Sequence, residues 1–174
     1  GSWGNNPTIT SLAALALMNA EGKIPEQRAG HLERALNYIR RQCRDDGAIW
    51  NRNTKQYPLY STAVSMFALV RADRSKDRDA IASARAYLLG TQVTNVPADD
   101  PRYGGFSDDG GQDRPSLTVS HWVLEALYLS DPIGEEADGS SARRETLIKA
   151  YTMAKTFIER CQQLAPPGDP SGKK

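Results

Sequence analysis

Apolar and polar positions along the chain fall into blocks of two alternating kinds. One kind is apolar nearly all round: Leu12-Ala13-Ala14-Leu15-Ala16-Leu17-Met18 and Ala63-Val64-Ser65-Met66-Phe67-Ala68-Leu69-Val70 leave no polar face. A helix of that pattern is expected to be enclosed by protein on most sides. The other kind is amphipathic. Leu32, Ala35, Leu36, Ile39 and Cys43 share one stripe, with Glu33, Arg34, Asn37, Arg40 and Arg41 off it. Later, Leu147, Ile148, Tyr151, Ala154, Phe157, Ile158 and Cys161 form a stripe against Arg143, Arg144, Lys149 and Lys155. Such helices are covered on one side and wet on the other. No two-residue alternation of a strand competes with this reading. The pattern predicts an all-α protein with an inner layer of apolar helices and an outer layer of amphipathic ones.

The blocks also repeat, and a repeat sets the architecture. Each inner helix follows a polar, glycine-containing loop that carries an aromatic. The loops are Trp3-Gly4-Asn5-Asn6-Pro7, then Asp45 to Trp50 running on to Pro58, then Tyr103-Gly104-Gly105-Phe106 running on to Pro115. Trp3, Trp50 and Phe106 are read as matching points, a recurrence that suits tying the loop to its hairpin. A hydroxyl residue comes next and an Ala-Leu pair follows six positions on: Thr10 to Ala16, Thr62 to Ala68, Ser120 to Ala126. Each outer helix carries alanine, an aromatic, an aliphatic and then glutamine: Ala35/Tyr38/Ile39/Gln42, Ala84/Tyr87/Leu88/Gln92 and Ala154/Phe157/Ile158/Gln162. Thr10, Thr62 and Ser120 are 52 and 58 residues apart, which suits a helix pair plus a long loop. Three hairpins result, at about 3–44, 45–92 and 103–163, in a single domain over 3–164. Gly22 with Pro25, and the stretch Asp131-Pro132-Ile133-Gly134, read as stops for the first and third inner helices. That leaves 93–116 and 131–141 as long loops, with His31 at the start of an outer helix.

Composition narrows the function classes. The 174 residues include 39% apolar and 25% charged side chains, the values of a globular domain. A net charge of +1 gives no electrostatic case for nucleic acid, and no apolar run is long enough for a membrane span. The two cysteines, Cys43 and Cys161, have no metal-binding spacing and are expected to be buried free thiols. Gly1-Ser2 reads as an expression scar. Residues 165–174, rich in proline, glycine and charge, read as a tail or linker. Both ends suggest a piece of a longer protein, in which export is open.

The loop, hydroxyl, Ala-Leu and glutamine pattern resembles the prenyltransferase/squalene-cyclase repeat. The resemblance is clearest from Tyr103 to Phe106, on through Arg114-Pro115-Ser116-Leu117-Thr118-Val119-Ser120 to Glu125-Ala126-Leu127, and from Tyr57 to Leu69. It covers about residues 3–163 and is similar to uncharacterised bacterial members of that family. It implies a partial α/α toroid of about three hairpins, with inner helices around a cavity. Among the family's branches, terpenoid cyclases use an Asp-x-Asp-Asp acid, and Asp108-Asp109-Gly110-Gly111-Gln112-Asp113 lacks that order. Prenyltransferases hold zinc with Asp, a Cys two residues later and a distant His. Neither Cys43 nor Cys161 has that Asp, and His121 follows the hydroxyl position where the zinc His precedes it. The thioester segment of complement-type members is missing too.

Two groups of residues remain as cavity or loop candidates. Asp108, Asp109, Asp113 and Arg114 could sit at a cavity mouth and bind a cation or polar ligand. The plainer reading, favoured by their composition, is a solvated loop whose aspartates cap backbone amides. His121 and Trp122 could line a cavity that receives an apolar ligand. Their plainer reading, again the favoured one, is helix packing with a satisfied imidazole. No metal site and no cofactor is expected. The sequence thus points to a non-catalytic binding or scaffolding part of a larger protein, with an apolar small molecule or a protein as partner. The alternative is a cyclase or prenyl-transfer enzyme whose catalytic residues lie mostly outside this chain. Three hairpins make about half a ring, which would expose apolar flanks at the first and last repeat. Self-association there, or segments folded over those flanks, is expected.

Overall fold

A computed structural model describes residues 1–20, 26–53, 57–73, 75–138 and 141–162. Six α-helices follow one another: α1 Pro7–Asn19, α2 Glu26–Arg40, α3 Pro58–Ala72, α4 Arg78–Gly90, α5 Leu117–Asp138 and α6 Ser141–Gln162. A short 3₁₀ turn, Ser75–Asp77, leads into α4. The described residues contain no strand, only two isolated bridges, Cys43 with Ile49 and Ser107 with Pro115. The protein is all-α, as the periodicity predicts.

The helices begin where chain chemistry dictates. Pro7 and Pro58 open α1 and α3, where a missing N–H costs nothing. Asn6 caps α1, its side chain accepting from the Ile9 amide at 3.0 Å. One predicted stop fails. α5 runs through Pro132 to Asp138, so 131–138 is helix and not loop. A proline inside a helix removes one donor, that to the carbonyl four residues back, and α5 continues past it. Gly22 and Pro25, the other predicted stop, lie outside the described residues. His31 lies more than a turn into α2 and not at its start.

The layers are those the two patterns call for, with α3 packed between α1 and α5 and each inner helix paired with its outer helix. Leu59, Ala63, Val64, Met66, Ala68 and Leu69 of α3 are fully buried. On α2 the stripe Leu32, Ala35, Leu36 and Ile39 is buried, and Ala84 and Leu88 do the same for α4. Full enclosure, however, holds for α3 alone. Ile9 and Leu12 on α1 are 50% and 39% exposed, and Leu117 and Tyr128 on α5 are 48% and 68% exposed. The cause is position. α1 and α5 are the first and last inner helices, and each has an inner neighbour on one side. The predicted α6 stripe is likewise open at Ile148 and Cys161. The thiol of Cys161 is therefore exposed, while Cys43 is half-buried, its pKa raised by loss of hydration; both are free.

The repeat is a set of shared hydrogen bonds. In each copy the hydroxyl of the inner helix accepts from a loop amide: Trp3 to Thr10 at 3.0 Å, Ile49 to Thr62 at 2.9 Å and Phe106 to Ser120 at 3.1 Å. All three hydroxyl residues are fully buried. The residue matching Trp3 and Phe106 is thus Ile49, not Trp50, whose ring stacks on the Arg44 guanidinium 5.6 Å away. Two residues before each stapled position stands a glycine against the outer helix of its own hairpin: Gly1 at Arg34, Gly47 at Ser83, Gly104 at Met153. Gly47 and Gly104 have φ of +87° and +88°, and a Cβ on either would collide with the Ser83 or Met153 carbonyl. The glutamine repeat also shifts in register. Gln92 donates to the carbonyls of Gly104 and Ala150, both at 2.9 Å, sewing the second hairpin to the third. The backbone pairing of Arg44 with Ala48 matches that of Val93 with Gly105, so Cys43, not Gln42, stands where Gln92 does.

Candidate functional site

The acidic loop does not converge. Asp108 lends its backbone carbonyl to the Leu59 amide at 3.2 Å, which ties the third loop to the start of α3. The Asp109 carboxylate accepts from the Gly111 amide at 2.8 Å, a local Asx turn. The Asp113 carboxylate is 93% exposed and 3.7 Å from Arg102, and Arg114 is exposed. Arg102 itself grips Asp100 with two side-chain bonds of 2.9 and 2.8 Å, and those bonds hold the Asp100 carboxyl at a pKa of about 2. Among the described residues no three His, Cys, Asp or Glu side chains come together as metal ligands.

His121 and Trp122 are sequence neighbours on different faces of α5. Trp122 turns toward α3, edge-on to Phe67 at 5.9 Å and to Tyr60 at 6.3 Å. His121 is exposed, and its ring stands edge-on to that of Trp122 at 5.9 Å.

His121 instead borders an open groove of about 630 Å³ between α5 and α6. From α5 come Leu117, Thr118, His121, Leu124, Glu125 and Tyr128, at the three-and-four spacing of one helix face; from α6 come Tyr151 and Ile158. Its walls are mainly aliphatic and aromatic, with one imidazole and one carboxylate at the edge. Tyr151 is half-buried, and burial lifts its phenol to about 12. Its hydroxyl is buried and has no partner among the described residues.

The repeat register identifies this face. Over the 58 residues from Thr62 to Ser120, Leu117, His121, Leu124 and Tyr128 correspond to Leu59, Ala63, Met66 and Val70 of α3. Those four are at most 9% exposed. Glu125 corresponds to Phe67, which packs on Trp122 of the next inner helix. The 52-residue step back gives Ser11 of α1 as the counterpart of His121, and Ser11 meets Ser65 of α3 at 3.0 Å. This forward face receives the next inner helix twice in the molecule and stands open the third time. Periodicity alone marks Leu124 and Tyr128 as core. The signal that singles them out is the repeat register, because among the described residues theirs is the third copy and no fourth inner helix packs on it.

Among the described residues, no helix is long and apolar enough to cross a membrane. No protein-family model, curated protein or solved structure matches the chain.

Proposed function

We propose that this chain is a non-catalytic binding or scaffolding module of the helical-repeat type, part of a larger protein, and that it holds its partner on the α5–α6 face. The observation that carries the reading is the open groove in the place where α3 receives a helix. A face of this kind removes apolar surface from water, at about 25 cal/mol per Å² covered, and needs no reacting group. Asp108 bonds to Leu59 through its backbone carbonyl, Asp109 closes a local turn, and Asp113 and Arg114 are exposed, which favours a structural loop over a reaction centre. The resemblance to prenyltransferase and squalene-cyclase repeats supports the repeat architecture and is silent on chemistry.

The test is binding of an environment-sensitive apolar dye to dilute protein, with Tyr128→Asp as the variant. Tyr128 is 68% exposed, so the substitution charges the groove without opening the core. The expected result is dye binding in the parent chain, weakened at least about fivefold in the variant at unchanged melting temperature. Equal dye response in both would overturn the reading. So would turnover of a polyprenyl diphosphate that Asp108→Ala with Asp109→Ala abolishes.

A further inference from the structure

The turn after α2 and the loop that leads on toward α3 frame a second hollow, of about 410 Å³, which shares no lining residue with the α5–α6 groove. Three arginines line it, Arg41, Arg44 and Arg52, against one carboxylate, that of Asp45. Trp50 adds an indole to the wall. The loop is seated on the second hairpin, with Gly47 against Ser83, so the hairpins on both sides of this turn are in place.

The repeat does not call for these side chains. With Arg44 matched to Val93 by backbone pairing, Arg41 falls opposite Gly90. With Ile49 matched to Phe106 by the shared hydroxyl, Trp50 and Arg52 fall opposite Ser107 and Asp109. The second joint thus makes the same turn with a glycine, a fully buried valine, a buried serine and an aspartate. Nor does closing α2 account for the charges. Arg41 donates one nitrogen, Nε, to the Asn37 carbonyl at 3.2 Å. Arg40 is engaged by Asp77, Glu33 and Asn37 and does not line the hollow. Arg44 covers Trp50 at 5.6 Å, and its Nε stands 3.7 Å from the Asp46 carboxylate. That Nε is buried and has no hydrogen-bond partner among the described residues. A buried donor on a charged group is costly to leave without an acceptor, and here it belongs to a side chain of a basic hollow.

We infer that this hollow binds a phosphomonoester carried on a planar ring, with Arg41, Arg44 and Arg52 serving the phosphate and Trp50 the ring. A guanidinium fork pairs with phosphate oxygens two at a time. Three such forks exceed what the two oxygens of a carboxylate can accept, and they match the three terminal oxygens and nearly double charge of a phosphomonoester. The volume is that of a small-molecule site and leaves room beyond the phosphate, which an indole wall suits to a flat ring.

Isothermal titration calorimetry of the intact chain tests it with phenyl phosphate, adenosine monophosphate, inorganic phosphate and benzoate. At least one of the two esters is expected to bind with a Kd of about 1 mM or below, and the tighter of them tells an aryl from a nucleoside source. Inorganic phosphate, which lacks the ring, and benzoate, which lacks the phosphate, are each expected to bind at least about fivefold more weakly. Affinity should rise with pH through about 6, where the ester takes its second charge. Arg52 is exposed, so Arg52→Ala is expected to weaken binding at least about tenfold at unchanged melting temperature, with Arg52→Lys recovering only part of the loss. Lys149→Ala removes the same charge from an exposed position on α6 and is expected to leave the affinity unchanged. Bound phenyl phosphate should also slow alkylation of Cys43, which lines the hollow, and spare the exposed Cys161. No binding of either ester, equal binding of benzoate, equal losses in Arg52→Ala and Lys149→Ala, or unaltered alkylation of Cys43 would each overturn the inference. Dye binding in the α5–α6 groove is untouched by Arg52→Ala, so the two sites stand or fall separately.

Discussion

Two glycines show how a single side chain is settled by its surroundings. Gly104 and Gly110 both have positive φ, +88° and +79°, so alanine is strained at either. A Cβ at Gly104 would also run into the Met153 carbonyl, whereas one at Gly110 would meet only Thr91 and the Tyr87 hydroxyl at 3.5 Å. Gly110→Ala is expected to cost about 1 kcal/mol, and Gly104→Ala more than about 2 kcal/mol, read from urea unfolding. Equal costs would show that the loop yields and the staple does not depend on that glycine. Tyr151 offers a second residue-scale test. Its phenol pKa is raised from 10.0 to about 12 on folding, so the folded state favours the neutral form. The stability this gives is fully present below pH 10 and is lost as pH rises toward 12. Tyr151→Phe is expected to flatten the loss of stability across that window and to change little at pH 7, where the hydroxyl has no partner among the described residues. A parent and variant that lose stability in parallel would place the sensitivity elsewhere.

Elements are joined here by a few polar contacts as well as by the apolar seam. Asp77, fully buried at the end of the 3₁₀ turn, accepts from Arg40 near the end of α2 through both carboxylate oxygens, with Nη2 to Oδ2 at 2.9 Å. Arg40 also reaches Glu33 and Asn37, and Lys76 reaches Glu33, so one network links α2 to the start of α4. Removing one partner of a buried ion pair leaves the other charge desolvated and unpaired. Asp77→Ala is expected to cost about 3 kcal/mol, with Arg40→Ala rescuing part of that loss in a double-mutant cycle. Additive losses would mean that the two side chains stabilise the helices independently. Most helices were legible from spacing, because burial acts on every turn of a helix and leaves a periodic trace. The continuation of α5 through Pro132 was not, since a proline withdraws one hydrogen bond and neighbouring turns decide whether the helix survives it.

At the scale of the whole molecule, three hairpins give one fully enclosed inner helix and two half-open ones. Among the described residues, Ile9 and Leu12 on α1 and Leu117 and Tyr128 on α5 are the exposed large apolar side chains of the inner layer. The alternation of apolar and amphipathic segments determined the all-α class and the two layers. The Thr10, Thr62 and Ser120 series determined the repeat, because each hydroxyl answers the same loop amide. Those are local requirements, written wherever a helix must bury a face or a loop must satisfy a donor. The sequence did not say that Ile49 takes the place given to Trp50, since a loop's register depends on which amide reaches the hydroxyl. Nor did it say which of His121 and Trp122 is covered, because adjacent residues on a helix differ by about 100° and only the position of α3 decides it. The acidic loop looked like a site in one dimension; in three, Asp108 ties it to α3 through its backbone and Asp109 closes a local turn. Burial belongs to pairs of surfaces, so the chain alone specified which faces are apolar, and only the tertiary structure decided which of them had already found a partner.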